Sequence, residues 1–195
     1  MKYVLTEMAD RRQPPVTVAE TATPTSVTLK VLNNDDASRD MYFDGDADAV
    51  RIDVFVPRKA DLKVVSNGEI RLDGVSGEIE LSGVDEAIDV RNADGKLTVS
   101  AADAQVRIIG FTGELDSKVA DADVYLEGNF SRITGRAASG RFILTVPEAY
   151  NADVTSNLEV LTLEDMVAPK VVKEGQWRFG SGGPKLNLNL DDGEI

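Results

Sequence analysis

Every ninth residue from Ile70 to Phe142 is apolar: Ile70, Ile79, Ile88, Leu97, Val106, Leu115, Val124, Ile133 and Phe142. A fixed period of this kind marks a chain that stacks one short unit on itself, and it constrains the architecture more tightly than any residue propensity. Within each nonad a second apolar residue follows two positions later, as in Gly68-Glu69-Ile70-Arg71-Leu72 and Gly77-Glu78-Ile79-Glu80-Leu81. Alternation over five residues is the pattern of a half-buried strand. The other four residues are turn formers, as in Asp73-Gly74-Val75-Ser76, so each nonad reads as one short strand and one corner.

Charge decides whether a full turn takes one nonad or two. Neighbouring strands nine residues apart would set Glu69 beside Glu78, and like charges directly opposite repel. At eighteen residues the outward positions alternate in sign, Glu78, Lys96, Glu114 and Arg132 on one face and Arg71, Asp89 and Arg107 on the other. The inward positions Leu72, Val90, Ile108, Leu126 and Leu144 then form one apolar row. An eighteen-residue coil with two strands accounts for both. Its corners differ: Val84, Ala102, Ala120 and Ala138 make a small row, whereas Val75, Ala93, Phe111 and Asn129 do not. Ser117 and Gly135 leave a gap in the row begun by Leu81 and Val99, which Phe130 or Phe142 is expected to cover.

Residues 1–56 lack the nonad. Apolar or alternating runs at Tyr3–Leu5, Val16–Val18, Val27–Leu32, Met41–Phe43 and Val50–Val56 predict short antiparallel strands that cap the open end of the repeat. The division is therefore a β-strand cap over 1–56 and nine-residue half-coils over 57–195. The segment around Val56-Pro57 and Ala60-Asp61-Leu62 to Ser66-Asn67 recurs around Val146-Pro147 and Ala152-Asp153-Val154 to Ser156-Asn157. Its prolines stand 90 residues apart, which predicts five successive coils and returns Val160 to the Ile70 row. After an irregular stretch at Glu164–Glu174 the pattern resumes at Gln176-Trp177-Arg178-Phe179 and at Leu186, Leu188 and Leu190. The closing Gly193-Glu194-Ile195 copies the start of a nonad and predicts that the native chain continues.

The order Ile52-Asp53-Val54-Phe55-Val56-Pro57, then Leu62 to Ile70, then serial Gly-Glu-Ile nonads resembles the bacterial adhesin repeat domain, a β-solenoid domain of unknown function. Gly180-Ser181-Gly182-Gly183-Pro184 ahead of Leu186–Leu190 resembles the final coil of that family. The likeness spans residues 50–195. It implies an all-β, right-handed parallel β-solenoid (a β-roll or β-helix), generally extracytoplasmic, and it brings no catalytic, cofactor or metal residue with it.

The residues themselves exclude much chemistry. With no Cys and no His, the chain has no thiol nucleophile, imidazole base, disulfide or nitrogen-sulfur zinc site. A net charge of −13 repels phosphate backbones and anionic lipid, so nucleic acid and membrane surface are poor partners. No run approaches a bilayer span, and Met1–Asp10 does not read as a signal peptide, so an exported form would have shed its targeting segment.

Asp85, Asp103 and Asp121 fall eighteen apart at one corner and could gather Ca²⁺, although turn aspartates ordinarily bond their own amides. Asp44-Gly45-Asp46-Ala47-Asp48 starts like an EF-hand loop but has Ala49 and Phe55 where Gly and Glu are required. Gly180–Lys185 reads as a corner rather than a phosphate loop, and Trp177 as core. The expected function is a non-catalytic, acidic module outside the cytoplasm that binds an unidentified surface ligand or protein and is able to self-associate. The alternatives are a calcium- or carbohydrate-binding or carbohydrate-acting β-helix and a self-assembling scaffold.

Overall fold

A computed structural model describes residues 2–7, 16–33, 50–84, 86–147, 150–158, 168–192 and 195. The chain is all-β and divides into two compact units, Met1–Pro57 and Arg58–Ile195. In the first unit β1 (Lys2–Glu7) pairs antiparallel with β4 (Val50–Phe55), and β2 (Val16–Ala22) with β3 (Val27–Asn33). The β2–β3 turn closes on Thr23, whose backbone N–H donates to the Ser26 carbonyl (2.8 Å) and whose hydroxyl accepts from the Ser26 N–H (2.9 Å). Four of the five expected strands are present. The fifth, Met41–Phe43, lies outside the described residues.

The second unit is a β-solenoid, and its ladder has the eighteen-residue register that the charges indicate. β7 (Ser76–Gly83) pairs parallel with β9 (Asp94–Ala101), placing Glu78 opposite Lys96 and Ile79 opposite Leu97. β6 (Ile70–Asp73) pairs in the same way with β8 (Ile88–Arg91), placing Leu72 opposite Val90. The long stretch β10 (Val106–Thr145) supplies both walls: Val106–Ile109 joins β8 and Thr112–Val119 joins β9. One wall therefore begins with β5 (Leu62–Ser66), β7 and β9, and the other with β6 and β8.

Burial follows the nonad. All nine residues of the row from Ile70 to Phe142 are at most 5% exposed, and Val90, Ile108 and Leu126 are buried between them. The row frays at its ends, where Leu72 and Leu144 are half-buried. One corner turns inward, burying Val75, Ala93 and Phe111, while Val84 and Ala138 of the other are exposed. At the next inward corner the buried residue is Phe130 rather than Asn129, which the eighteen-residue spacing places in that row. Asn129 is exposed, and Phe130 stacks on Phe111 with ring centroids 5.7 Å apart. A one-residue slip thus puts an aromatic side chain in the core and the amide in solvent.

Glycine is required where coils touch most closely. Gly77, Gly95 and Gly113 stack in one column with φ of +152°, +116° and +138°. A Cβ on Gly95 would strike the Gly77 carbonyl, and one on Gly113 would strike that of Gly95. The gap at Ser117 and Gly135 is covered by Phe142, whose ring would lie 2.8 Å from a Cβ on Gly135. Ser117 is fully buried, and its hydroxyl has no partner.

The stacking does not continue in chain order. The sequence predicts that the strand after the Arg132–Ala137 stretch of β10 is the one near residue 152. Instead β14 (Lys185–Leu190), from the end of the chain, pairs with that stretch, and β11 (Ala152–Ser156) pairs on the far side of β14. Parallel pairing is blind to sequence distance, so Leu186 occupies the row between Ile133 and Val154.

Asn157 locks β14 in place: its amide donates to the Leu190 carbonyl (2.6 Å) and its carbonyl accepts from the Leu190 N–H (2.9 Å), as a neighbouring strand would. β13 (Gln176–Phe179) and β12 (Lys170–Lys173) then reverse direction in turn and are antiparallel rather than coil strands. Trp177 and Phe179 are buried, as expected of core residues. Val160 and Gly193-Glu194 lie outside the described residues.

Two substitutions test this packing in urea unfolding. Gly95→Ala is expected to cost about 1–3 kcal/mol through a strained φ and a backbone collision. Ser117→Ala, which removes an unpartnered buried hydroxyl, is expected to gain about 1 kcal/mol. A neutral Gly95→Ala would mean that the coils do not approach each other at that column.

Candidate functional site

The outward side chains of the first wall form three columns across the strands. From β7 to β11 none of them is apolar: Glu78, Glu80 and Ser82 on β7, Lys96, Thr98 and Ser100 on β9, Glu114, Asp116 and Lys118 then Arg132, Thr134 and Arg136 on β10, Lys185, Asn187 and Asn189 on β14, Asp153 and Thr155 on β11. Opposite charges meet across coils where the sequence alternates in sign. Lys96 reaches Glu78 at 3.0 Å, Arg132 reaches Glu114 at 3.0 Å and Lys63 reaches Glu80 at 2.6 Å. The Lys96 ammonium is held above its usual range by its hydrogen bond to Glu78. Exposed pairs of this kind are worth about 0.2–1 kcal/mol each and set register more than stability.

The second wall pairs differently from the expected ladder of Arg71, Asp89 and Arg107. These residues are opposite one another, yet Arg91 on the same strand takes Asp89 at 2.7 Å and Glu69 takes Arg71 at 2.7 Å. Residues two apart on a strand share a face, so the local partner competes with the cross-coil one. The Asp89 carboxyl is lowered first by its hydrogen bond from Arg91, then by the nearby Arg107 and Arg71 charges. Further along, Arg141 binds Asp123 across one coil at 2.7 Å and lowers its carboxyl, with help from the Tyr125 hydroxyl.

The aspartate corner is arranged for hydrogen bonds within the chain. Asp85 lies outside the described residues. The Asp103 and Asp121 N–H groups donate to the Val84 and Ala102 carbonyls at 2.9 and 3.2 Å, and the Asp121 carboxylate accepts from the Ser139 hydroxyl one coil on. The opposite corner repeats the device with the Ser76 hydroxyl and Asp94. Among the described residues no group of three acidic side chains is placed to hold a metal ion. The Asp44–Asp48 run is not described. Gly180–Pro184 forms the corner between β13 and β14, where Asn151 Oδ1 accepts from the Ser181 N–H at 2.8 Å.

In one region of the first wall the alternation of sign fails. Arg132 lies directly opposite Lys185, and Lys118 falls eighteen residues before Arg136 in the register fixed by Arg132–Glu114 and Ser139–Asp121. Two pairs of like charge are thus held at neighbouring-strand spacing, about 4.8 Å, which the fold itself does not favour. Half-buried Thr134 and Asn187 lie between the pairs. Lys118 and Arg136 form no ion pair among the described residues, and Lys185 lies opposite Asp153, whose carboxylate Arg178 holds at 2.7 Å. Lys118 and Arg136 were detectable in the sequence as like charges one coil apart. Lys185 was not, because only the insertion of β14 brings it there.

No protein-family model, no curated protein and no solved structure matches this chain.

The Asp123–Arg141 pair gives a pH test. A carboxyl lowered by folding stabilises the fold above its unfolded pKa, about 3.9, and that contribution is lost as pH falls through the lower folded value. Asp123→Asn is therefore expected to cost at most about 1 kcal/mol near neutrality, a difference that closes below about pH 4. Urea unfolding across pH measures it, and a gap that persists in acid would contradict the assignment.

Proposed function

We propose that this chain is a non-catalytic β-solenoid module that attaches to a surface outside the cytoplasm, the adhesin-like role implied by the repeats it resembles. The observation that carries this reading is the first wall: a polar, hydrogen-bonded sheet on which charges of opposite sign face each other across coils except where Arg132 meets Lys185 and Lys118 meets Arg136. Unfavourable like-charge neighbours on a wall whose ion pairs otherwise alternate in sign are explained by an external anion that relieves the repulsion. A wall without apolar anchors does not suit lipid insertion, nor the aromatic hot spots of tight protein interfaces.

The ends of the ladder favour a discrete module over a self-assembling scaffold. β12 is the terminal strand of the ladder among the described residues, with Val171 64% and Val172 52% exposed and a lysine at each end, Lys170 and Lys173. Lysines on an edge strand oppose strand-to-strand association. At the start of the solenoid Arg58 and Lys63 are held by Asp94 and Glu80 at 3.8 and 2.6 Å, and Lys59 adds a further positive charge that a stacked copy's edge lysines would meet.

Retention on sulfonate beads at low ionic strength tests the reading. The chain is acidic overall, so binding is expected only through this face. Lys118→Ala/Arg136→Ala should pass through unretained, and Glu114→Gln/Asp116→Asn should elute later. Free passage of the unsubstituted protein would contradict the proposal.

A further inference from the structure

We infer that the window between the two cation pairs takes a linear polysaccharide in which carboxylated sugars alternate with neutral ones. The inference rests on the surface-binding reading above and names its ligand. Arg132 and Arg136 stand four residues apart on one extended strand, roughly 13 Å. Lys185 extends the first position across to β14, and Lys118 extends the second across to the previous coil. The window therefore offers positive charge at two places separated by a neutral stretch.

What fills that stretch selects the ligand. Thr134 and Asn187 are neighbours in the middle column, and both donate and accept hydrogen bonds, as sugar hydroxyls require. Asn189 continues the amide surface beside Arg136. Asp116 stands next to Thr134 in the same column, Glu114 is bound to Arg132 and Asp153 lies opposite Lys185, so the window is bounded by carboxylates on both the β9 and the β11 side. A polyanion charged at every unit would meet those carboxylates and the net charge of −13. A chain with widely spaced carboxylates places one at each cation pair and its neutral hydroxyls over Thr134 and Asn187. Each carboxylate then separates two cations that the sheet holds side by side, and it can accept the paired N–H groups of an arginine.

Binding to hyaluronan, polygalacturonate and neutral dextran of matched length, by calorimetry at about 0.15 M salt where long-range attraction is screened, tests the inference. Hyaluronan, charged on every second sugar, is expected to bind at least about tenfold more tightly than either of the others, and Lys118→Ala/Arg136→Ala to lose about tenfold. Thr134→Val/Asn187→Leu should weaken hyaluronan while leaving retention on sulfonate beads unchanged. Lys118→Ala alone should keep or raise the melting temperature, since it removes a repulsive pair.

Equal binding of hyaluronan and polygalacturonate, or no binding of either by a protein that sulfonate beads still retain, overturns the ligand class and leaves the surface-binding reading standing. Absence of binding to polysaccharide and beads alike overturns both.

Discussion

Parallel backbone pairing between strands one coil apart is the interaction on which everything else in the solenoid depends. Once strands eighteen residues apart share hydrogen bonds, every side chain stacks on its counterpart in the next coil, so each column must suit itself. Inward columns become continuous apolar rows, and coil stability comes from neighbours rather than from any single coil. Outward columns must avoid like charges, which accounts for Glu78, Lys96, Glu114 and Arg132 in alternation. At the tightest corner the column leaves no room for a Cβ, hence Gly77, Gly95 and Gly113.

The same pairing permits the departure that gives the molecule its most distinctive surface. A parallel ladder needs matched rows and free backbone groups, not consecutive sequence, and β14 meets both needs beside Arg132–Ala137. Leu186 and Leu188 continue the inward rows, and the Leu188 side chain helps to fill the space that Gly135 leaves. The Asn157 amide and the Asp191 and Asp192 N–H groups, which donate to the Ala137 and Ala138 carbonyls at 3.1 and 2.9 Å, hold the strand end. Displacing β11 by one strand sets Lys185 beside Arg132 and so completes the cationic window.

What was legible in the sequence was whatever the period controls. The Ile70–Phe142 row, the Glu78–Lys96 and Glu114–Arg132 pairs and the covering of Gly135 by Phe142 all follow from a fixed spacing. Features that break the spacing were not legible. The slip that buries Phe130 in place of Asn129 depends on how one corner packs on Phe111. The Arg91 claim on Asp89 depends on competition between a partner on the same strand and partners on the next coils. The recurrence of the Pro57 segment at Pro147 suggested unbroken coils, because a repeat shows which rows a strand can join but not which neighbour it takes. Half of the candidate site, Lys118 and Arg136, could be read as like charges one coil apart; Lys185 could not.

The insertion of β14 is open to direct measurement, because the chain has no cysteine to interfere. In the structure Thr134 is opposite Asn187, whereas coils stacked in chain order would set it opposite residue 152. Neighbouring strands bring Cα atoms to about 4.8 Å, within disulfide range. Mild oxidation should cross-link Thr134→Cys/Asn187→Cys and leave Thr134→Cys/Ala152→Cys reduced. Cross-linking of the second pair and not the first would show that the coils stack in chain order, and the cationic window would not exist.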